Sequence, residues 1–153
     1  MPYDFQIAFD CADAHALADW WAETLDWVVE EQDPDFIRRM IAEGYATDAD
    51  TAVHHGKLVW SDGAAIRHPD APASGPRRRI IFQRVPEPKT AKNRVHIDVR
   101  VGAENVAAQA DLLIARGATF LHRGSQGPHE WVTLADPEGN EFCVIRPKTS
   151  LIR

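Results

Sequence analysis

The constraint that narrows this chain most is an approximate internal repeat with an offset of 90 residues. Gln6-Ile7-Ala8-Phe9 leads into a helix after a short turn, and His96-Ile97-Asp98-Val99 does the same. Both halves read as strand, helix, then three strands, with extra helix inserted in the first half near 33–56. A period this long does not suit a solenoid. It suits two similar modules, about 1–90 and 91–153, whose sheets pair into one curved mixed surface with a central cleft. The expected class is therefore α+β, a single domain of two βαβββ modules, with helices outside and polar strand faces lining the inside.

Strand parity supplies the chemistry. Along 93–101, Val95, Ile97, Val99 and Val101 share one face, and His96, Asp98 and Arg100 share the other. In the stretch 135–144, Phe142 and Val144 oppose Glu141 and Cys143. Ile7, Phe9, Ile97, Val99, Phe142 and Val144 are the expected core under the helices.

The remaining elements follow from period and punctuation. Residues 3–11 predict a strand. Asp13 is a good N-cap for a helix over about 14–25, where Ala14, Leu17, Ala18, Trp21 and Leu25 fall at helical spacing. Trp27–Glu31 predicts a short strand, and Asp33-Pro34 opens a second helix stopped by Gly44. The polar stretch 45–56 has no assigned structure. Strands are expected near 57–61, 63–67 and 78–85, with a loop at 68–76 and a break at Pro86-Glu87-Pro88-Lys89. After the 93–101 strand come a helix at 103–116 closed by Gly117, a strand at 118–123, and a hairpin of 130–135 and 140–146 turning at Pro137-Glu138-Gly139-Asn140.

Composition excludes several functions. A chain of 153 residues with a formal charge of -6 and a pI near 5.6 is a poor nucleic-acid partner. Arg77-Arg78-Arg79 is its single dense basic run. No apolar run reaches membrane-spanning length, and the N-terminus lacks a signal pattern, so a cytoplasmic location is expected. Cys11 and Cys143 are too few for a disulfide framework.

The module order, Asn93-Arg94-Val95-His96-Ile97-Asp98-Val99, and Ala135-Asp136-Pro137-Glu138-Gly139-Asn140-Glu141-Phe142 together resemble the vicinal oxygen chelate superfamily, and within it the glyoxalase-like, bleomycin-resistance-like branch. The resemblance covers roughly 3–31 and 77–147. It implies paired βαβββ modules whose cleft often holds a divalent metal. It places the first-strand ligands on Gln6 and His96, and a last-strand position of the first module on Gln83. The last-strand position of the second module, usually Glu, is Cys143 here, with Glu141 two residues earlier on the same face. Amides are poor ligands for a hard cation, and a thiolate favours zinc over magnesium or manganese. No cofactor is therefore expected, with a divalent metal as the alternative.

Bland readings stand beside these. Asp136 to Asn140 are turn formers, and Cys143 suits a small buried hydrophobe. Trp20 and Trp21 belong to packing, whereas Trp131 falls on the cleft side with Thr133 and could stack on a flat ligand. His54 and His55 would point apart in a strand. His15, His68, His122 and His129 read as surface or loop residues.

Two functions follow. The first is a protein that binds a small organic ligand in the inter-module cleft through Gln6, Gln83, Asp98, Trp131 and Cys143, with His96 and Glu141 orienting its polar end. The alternative is a metal-dependent lyase, isomerase or dioxygenase in which Glu141 and His96 are catalytic. A purely structural interaction domain is a third reading. A homodimer is the expected assembly, with the 33–56 insert as a lid or dimer contact.

Overall fold

The computed structural model describes residues 1–72, 78–102 and 106–146. Parts of the expected 68–76 loop, the start of the helix expected at 103, and Arg77 lie outside the described residues. The chain divides into two compact units, Met1–Pro88 and Lys89–Arg153.

The first unit runs β1 (Ile7–Cys11), α1 (Ala14–Leu25), β2 (Val28–Val29), α2 (Pro34–Ala42), a short 3-10 turn (Asp48–Asp50), β3 (Thr51–His54), β4 (Lys57–Trp60), β5 (Gly63–Arg67) and β6 (Arg79–Arg84). Its main sheet has the order β1-β6-β5-β2, with β1 and β6 parallel. The second unit runs β7 (Ile97–Arg100), α3 (Val106–Ala115), β8 (Thr119–Gln126), β9 (His129–Ala135) and β10 (Glu141–Ile145). Its sheet has the order β7-β10-β9-β8, with β7 and β10 parallel. In each unit the first strand pairs with the last and the helix follows the first strand. Two mixed-sheet βαβββ units are what the repeat predicts.

Local chemistry sets these bounds. Asp13 has extended backbone, and its carboxylate accepts the Ala16 N–H at 3.0 Å, so α1 starts where the cap predicts. The helix lays Leu17, Ala18 and Trp21 over β5 and β6. Trp21, Ile66 and Phe82 are fully buried there. Phe9 meets Trp21 and Phe82 edge to face, with ring centroids 5.5 and 5.4 Å away. In the second unit, Ala110 and Leu113 of α3 are buried, as are Val99, Val132, Leu134, Phe142 and Val144 of the sheet it covers.

The structure corrects five expectations. The insertion is not helix alone: α2 is followed by the β3–β4 hairpin. His55-Gly56 forms the two-residue turn of that hairpin, and both carry positive φ (48° and 76°), as a type I′ turn requires. Consequently His54 and His55 do not point apart, and their ring centroids are 4.0 Å from each other. The strand expected at 93–101 begins only at Ile97, and Val95 is 84% exposed. Residues before it are held by side chains instead, since Asn93 N–H donates to Glu141 Oε2 at 3.0 Å. Likewise β1 begins at Ile7 rather than at residue 3. Ile7 itself lies at the margin of exposure, while Phe9 and Ile97 are half-buried rather than core.

Candidate ligand site in the second unit

The sheet face opposite the buried valines carries the chemistry. Cys143 stands beside Asp98 on the parallel neighbour strand and beside Thr133 on the antiparallel one. His96 precedes β7 and shares the face of Asp98, with Nε2 3.5 Å from Asp98 Oδ1. These residues, with Lys92, His122, Trp131 and Glu141, line a hollow of about 350 Å³. That volume lies at the small end of the range for organic ligands.

Trp131 is positioned by a missing side chain. It pairs in register with Gly124, and a Cβ built on Gly124 would fall 2.3 Å from Trp131 Cε2. The indole thus lies across the backbone of β8, with part of its surface left to the hollow.

Cys143 is buried, and its thiol pKa is pushed up. Loss of hydration is the main cause; the nearby Asp98 charge adds to it, and the Thr133 hydroxyl, 3.5 Å from Sγ, opposes it. The group is a neutral thiol at physiological pH, which disfavours a nucleophilic role.

Glu141 is the anchor of a tether. Its Oε1 accepts from Lys89 Nζ at 2.9 Å, and Oε2 accepts from the Asn93 N–H. Burial works against its charge, but the hydrogen bonds from Lys89 and Asn93 outweigh that and lower its pKa. The neighbouring turn is structural, as its composition implies. Asp136 is only 2% exposed, and its Oδ1 accepts the Glu138 and Asn140 N–H groups, both at 2.9 Å. Asn93 Nδ2 in turn donates to Asn140 Oδ1 at 2.9 Å.

Of the residues singled out from sequence, His96, Asp98, Trp131, Glu141 and Cys143 come together in this hollow. Gln6 and Gln83 lie in the first unit. Gln6 borders a separate hollow of about 360 Å³ there, and its amide oxygen accepts from Arg79 Nη1 at 3.2 Å. Gln83 is exposed on β6 opposite Asp10. The register that sets Cys143 against Asp98 sets Ile81, not Gln83, against Ala8, so Gln83 is not the counterpart of Cys143. Sequence reasoning missed Lys89 and Asn93, whose bonds to Glu141 span 52 and 48 residues. It also placed His122 on the plain surface, whereas β8 carries it into the hollow opposite Thr133.

His96, Asp98 and Cys143 each offer one donor atom, and the three lie within 4.8 Å of one another. A nitrogen, an oxygen and a sulfur fit a borderline ion such as zinc better than a hard one such as manganese. The set is smaller than the resemblance implies, and Asp98 was not among the ligands it named.

Residues 6–145 match the family model described as "Glyoxalase-like domain". No curated protein matches the chain. Solved structures with the same fold include a fosfomycin resistance protein, FosX, from Listeria monocytogenes, complexed with manganese(II) and a dihydroxypropylphosphonic acid. It is 9% identical, covers 97% of this chain and 94% of its own, and has a TM-score of 0.62. A bleomycin resistance determinant encoded on transposon Tn5 is 11% identical over 97% of this chain and 100% of its own, with a TM-score of 0.52. A member of the glyoxalase/bleomycin resistance protein/dioxygenase superfamily from Sphaerobacter thermophilus is 12% identical over 96% and 98%, with a TM-score of 0.55. At these identities the likeness concerns the fold. Among the described residues, no helix is long and apolar enough to cross a membrane.

Proposed function

Because the chain belongs to the glyoxalase-like domain family, we propose that the hollow on β7, β10 and β9 binds a small organic molecule with an apolar or aromatic body and a hydrogen-bonding end. The observation that carries this reading is the convergence of Trp131, His96 and Asp98 on one hollow of about 350 Å³. The ligand's body would lie against Trp131, gaining from desolvation. His96, held near Asp98, would orient the polar end. Glu141 serves this site by fastening the 89–95 strap to β10, and Cys143 supplies a neutral floor. Titration of intrinsic tryptophan fluorescence against a panel of aromatic and phosphonate-bearing compounds tests it. Saturable quenching that weakens in His96→Ala and changes amplitude in Trp131→Phe supports the reading. Absence of quenching in the wild type across the panel sinks it.

A metal-dependent reading draws on a separate observation, the donor group His96–Asp98–Cys143. A divalent ion held there would supply Lewis acidity toward a carbonyl or a pair of vicinal oxygens. The chain's own residues would have to release the Cys143 proton, which its raised pKa opposes. Elemental analysis of chelator-free protein, wild type against Cys143→Ala, separates the two readings.

Homodimer formation is part of the same proposal. The insertion exposes Phe36, Tyr45 and Val53, apolar surface of the kind that subunit contacts use. Sedimentation equilibrium of the wild type and of a Tyr45→Ser, Val53→Ser double variant tests it.

A further inference from the structure

Away from that hollow, in the first unit, three side chains converge on one point. Asp19 lies on α1, and His54 and His55 lie at the β3–β4 turn. Both histidine Nε2 atoms are 2.7 Å from the same carboxylate oxygen, Asp19 Oδ2. The three donor atoms all fall within 4.8 Å of one another. We propose that Asp19, His54 and His55 form a binding site for a divalent transition-metal ion of the zinc type.

Backbone geometry explains how two adjacent histidines can share a target. In a regular strand their side chains would face opposite sides. His55 instead adopts φ 48°, which turns its imidazole back beside His54. That left-handed backbone is what the type I′ turn of the hairpin requires, and histidine is among the side chains that adopt it more readily. As a bare hydrogen-bonded group the arrangement returns little, because ion pairs on an open surface contribute slightly.

The donor set suits a borderline divalent ion of the zinc type. Two imidazoles and one carboxylate are the ligands that zinc takes where a coordination position is left open, and no thiolate is present to select a softer ion. Zinc-to-nitrogen distances of about 2.0–2.1 Å would set neighbouring donors of a tetrahedral ion about 3.3 Å apart, so the Asp19 carboxylate would draw back by about 0.6 Å. Side-chain exposures of 34% for Asp19, 27% for His54 and 75% for His55 leave one side open for water as a further ligand. His54 is also backed by His15, whose ring centroid is 5.0 Å away and whose Nε2 is fixed on the Trp60 carbonyl at 2.8 Å. In the bound form each of His54 and His55 carries its hydrogen on Nδ1, freeing the Nε2 lone pair. The ion would staple the inserted hairpin to α1. The site is independent of the reading of the second-unit hollow.

Tag-free, full-length protein stripped with chelator is titrated with zinc and, as an absorbing probe, cobalt(II). The expected result is visible cobalt absorption displaced by zinc, together with a rise in melting temperature on zinc addition. In Asp19→Asn and in His55→Asn the affinity should fall at least about tenfold, since losing even an outer-sphere partner costs that much. His55→Asn is the decisive variant if Asp19→Asn misfolds, because asparagine tolerates the left-handed turn. Cys143→Ala, which alters the other donor group, should bind at the Asp19 site as the wild type does. Wild type that binds neither ion, or unchanged affinity in His55→Asn with normal circular dichroism, overturns the proposal.

Discussion

Lys89 Nζ lies 2.9 Å from Glu141 Oε1, and this pair fastens the first residues of the second unit to its last strand. Their side chains are only 22% and 14% exposed. Removing one partner strands the other in a poorly hydrated place. Lys89→Ala and Glu141→Gln should therefore each cost about 1–3 kcal/mol at neutral pH, measured by urea unfolding.

The same pair predicts a pH dependence. In the folded protein the pKa of Glu141 lies below the ordinary glutamate value. Its contribution is complete above the unfolded pKa and fades as pH falls through the lowered folded value. The stability gap between the wild type and Glu141→Gln should hold from neutral pH down to about pH 5 and shrink below about pH 4. A gap that widens on acidification would contradict the sign.

Cys143 gives a second handle. Burial raises its pKa first, and the Asp98 charge adds to that. Asp98→Asn should lower the thiol pKa and speed iodoacetamide modification of the Cys143 peptide several-fold at a fixed pH near 8, followed by mass spectrometry. Peptide-level readout keeps Cys11 apart. Equal rates in the two proteins would show that Asp98 does not feel the thiol.

A fourth prediction concerns Gly124. A methyl group there would meet the Trp131 ring at 2.3 Å, so Gly124→Ala must swing the indole out of place. Tryptophan emission should shift, and any ligand that quenches the wild type should bind about two- to tenfold more weakly, as displacement of a stacking partner removes about 0.5–1.5 kcal/mol. Gly102→Ala, which meets nothing within 4 Å and has no left-handed backbone, is the control for an added methyl group without the clash.

How much of this was legible depended on distance along the chain. The bounds of α1 were readable because Asp13 and the apolar spacing lie within one segment. The module repeat was readable because Ile7 and Ile97 open equivalent strands, each parallel to its unit's last strand. The β3–β4 hairpin was not, because its turn is His-Gly rather than the Asn-Gly or Asp-Gly that marks a type I′ turn. The same positive φ hid the meeting of His54 and His55 on Asp19, which stands 35 residues from His54. At the candidate site, alternation along β7 and β10 put His96, Asp98, Glu141 and Cys143 on one face. Alternation could not reveal that Glu141 is already occupied by Lys89, because that contact depends on how the 89–95 segment is laid down.

The last prediction tests the turn beneath that face. Asp136 is buried, and its carboxylate holds two backbone N–H groups and the Asn140 side chain, whose Nδ2 is 3.0 Å from Oδ2. Truncation leaves half-buried donors without their acceptor, each worth about 1–3 kcal/mol. Asp136→Ala should therefore cost about 2–4 kcal/mol. Asp136→Asn keeps one oxygen for the backbone donors but sets an amide NH₂ against Asn140 Nδ2, so its cost should be intermediate. Because Asn140 Oδ1 accepts from Asn93, both variants should also loosen the strap, seen as faster amide exchange at residues 90–95. A cost below 1 kcal/mol for Asp136→Ala, with exchange at 90–95 unchanged, would mean that backbone geometry alone holds the turn and that the carboxylate does not order the site.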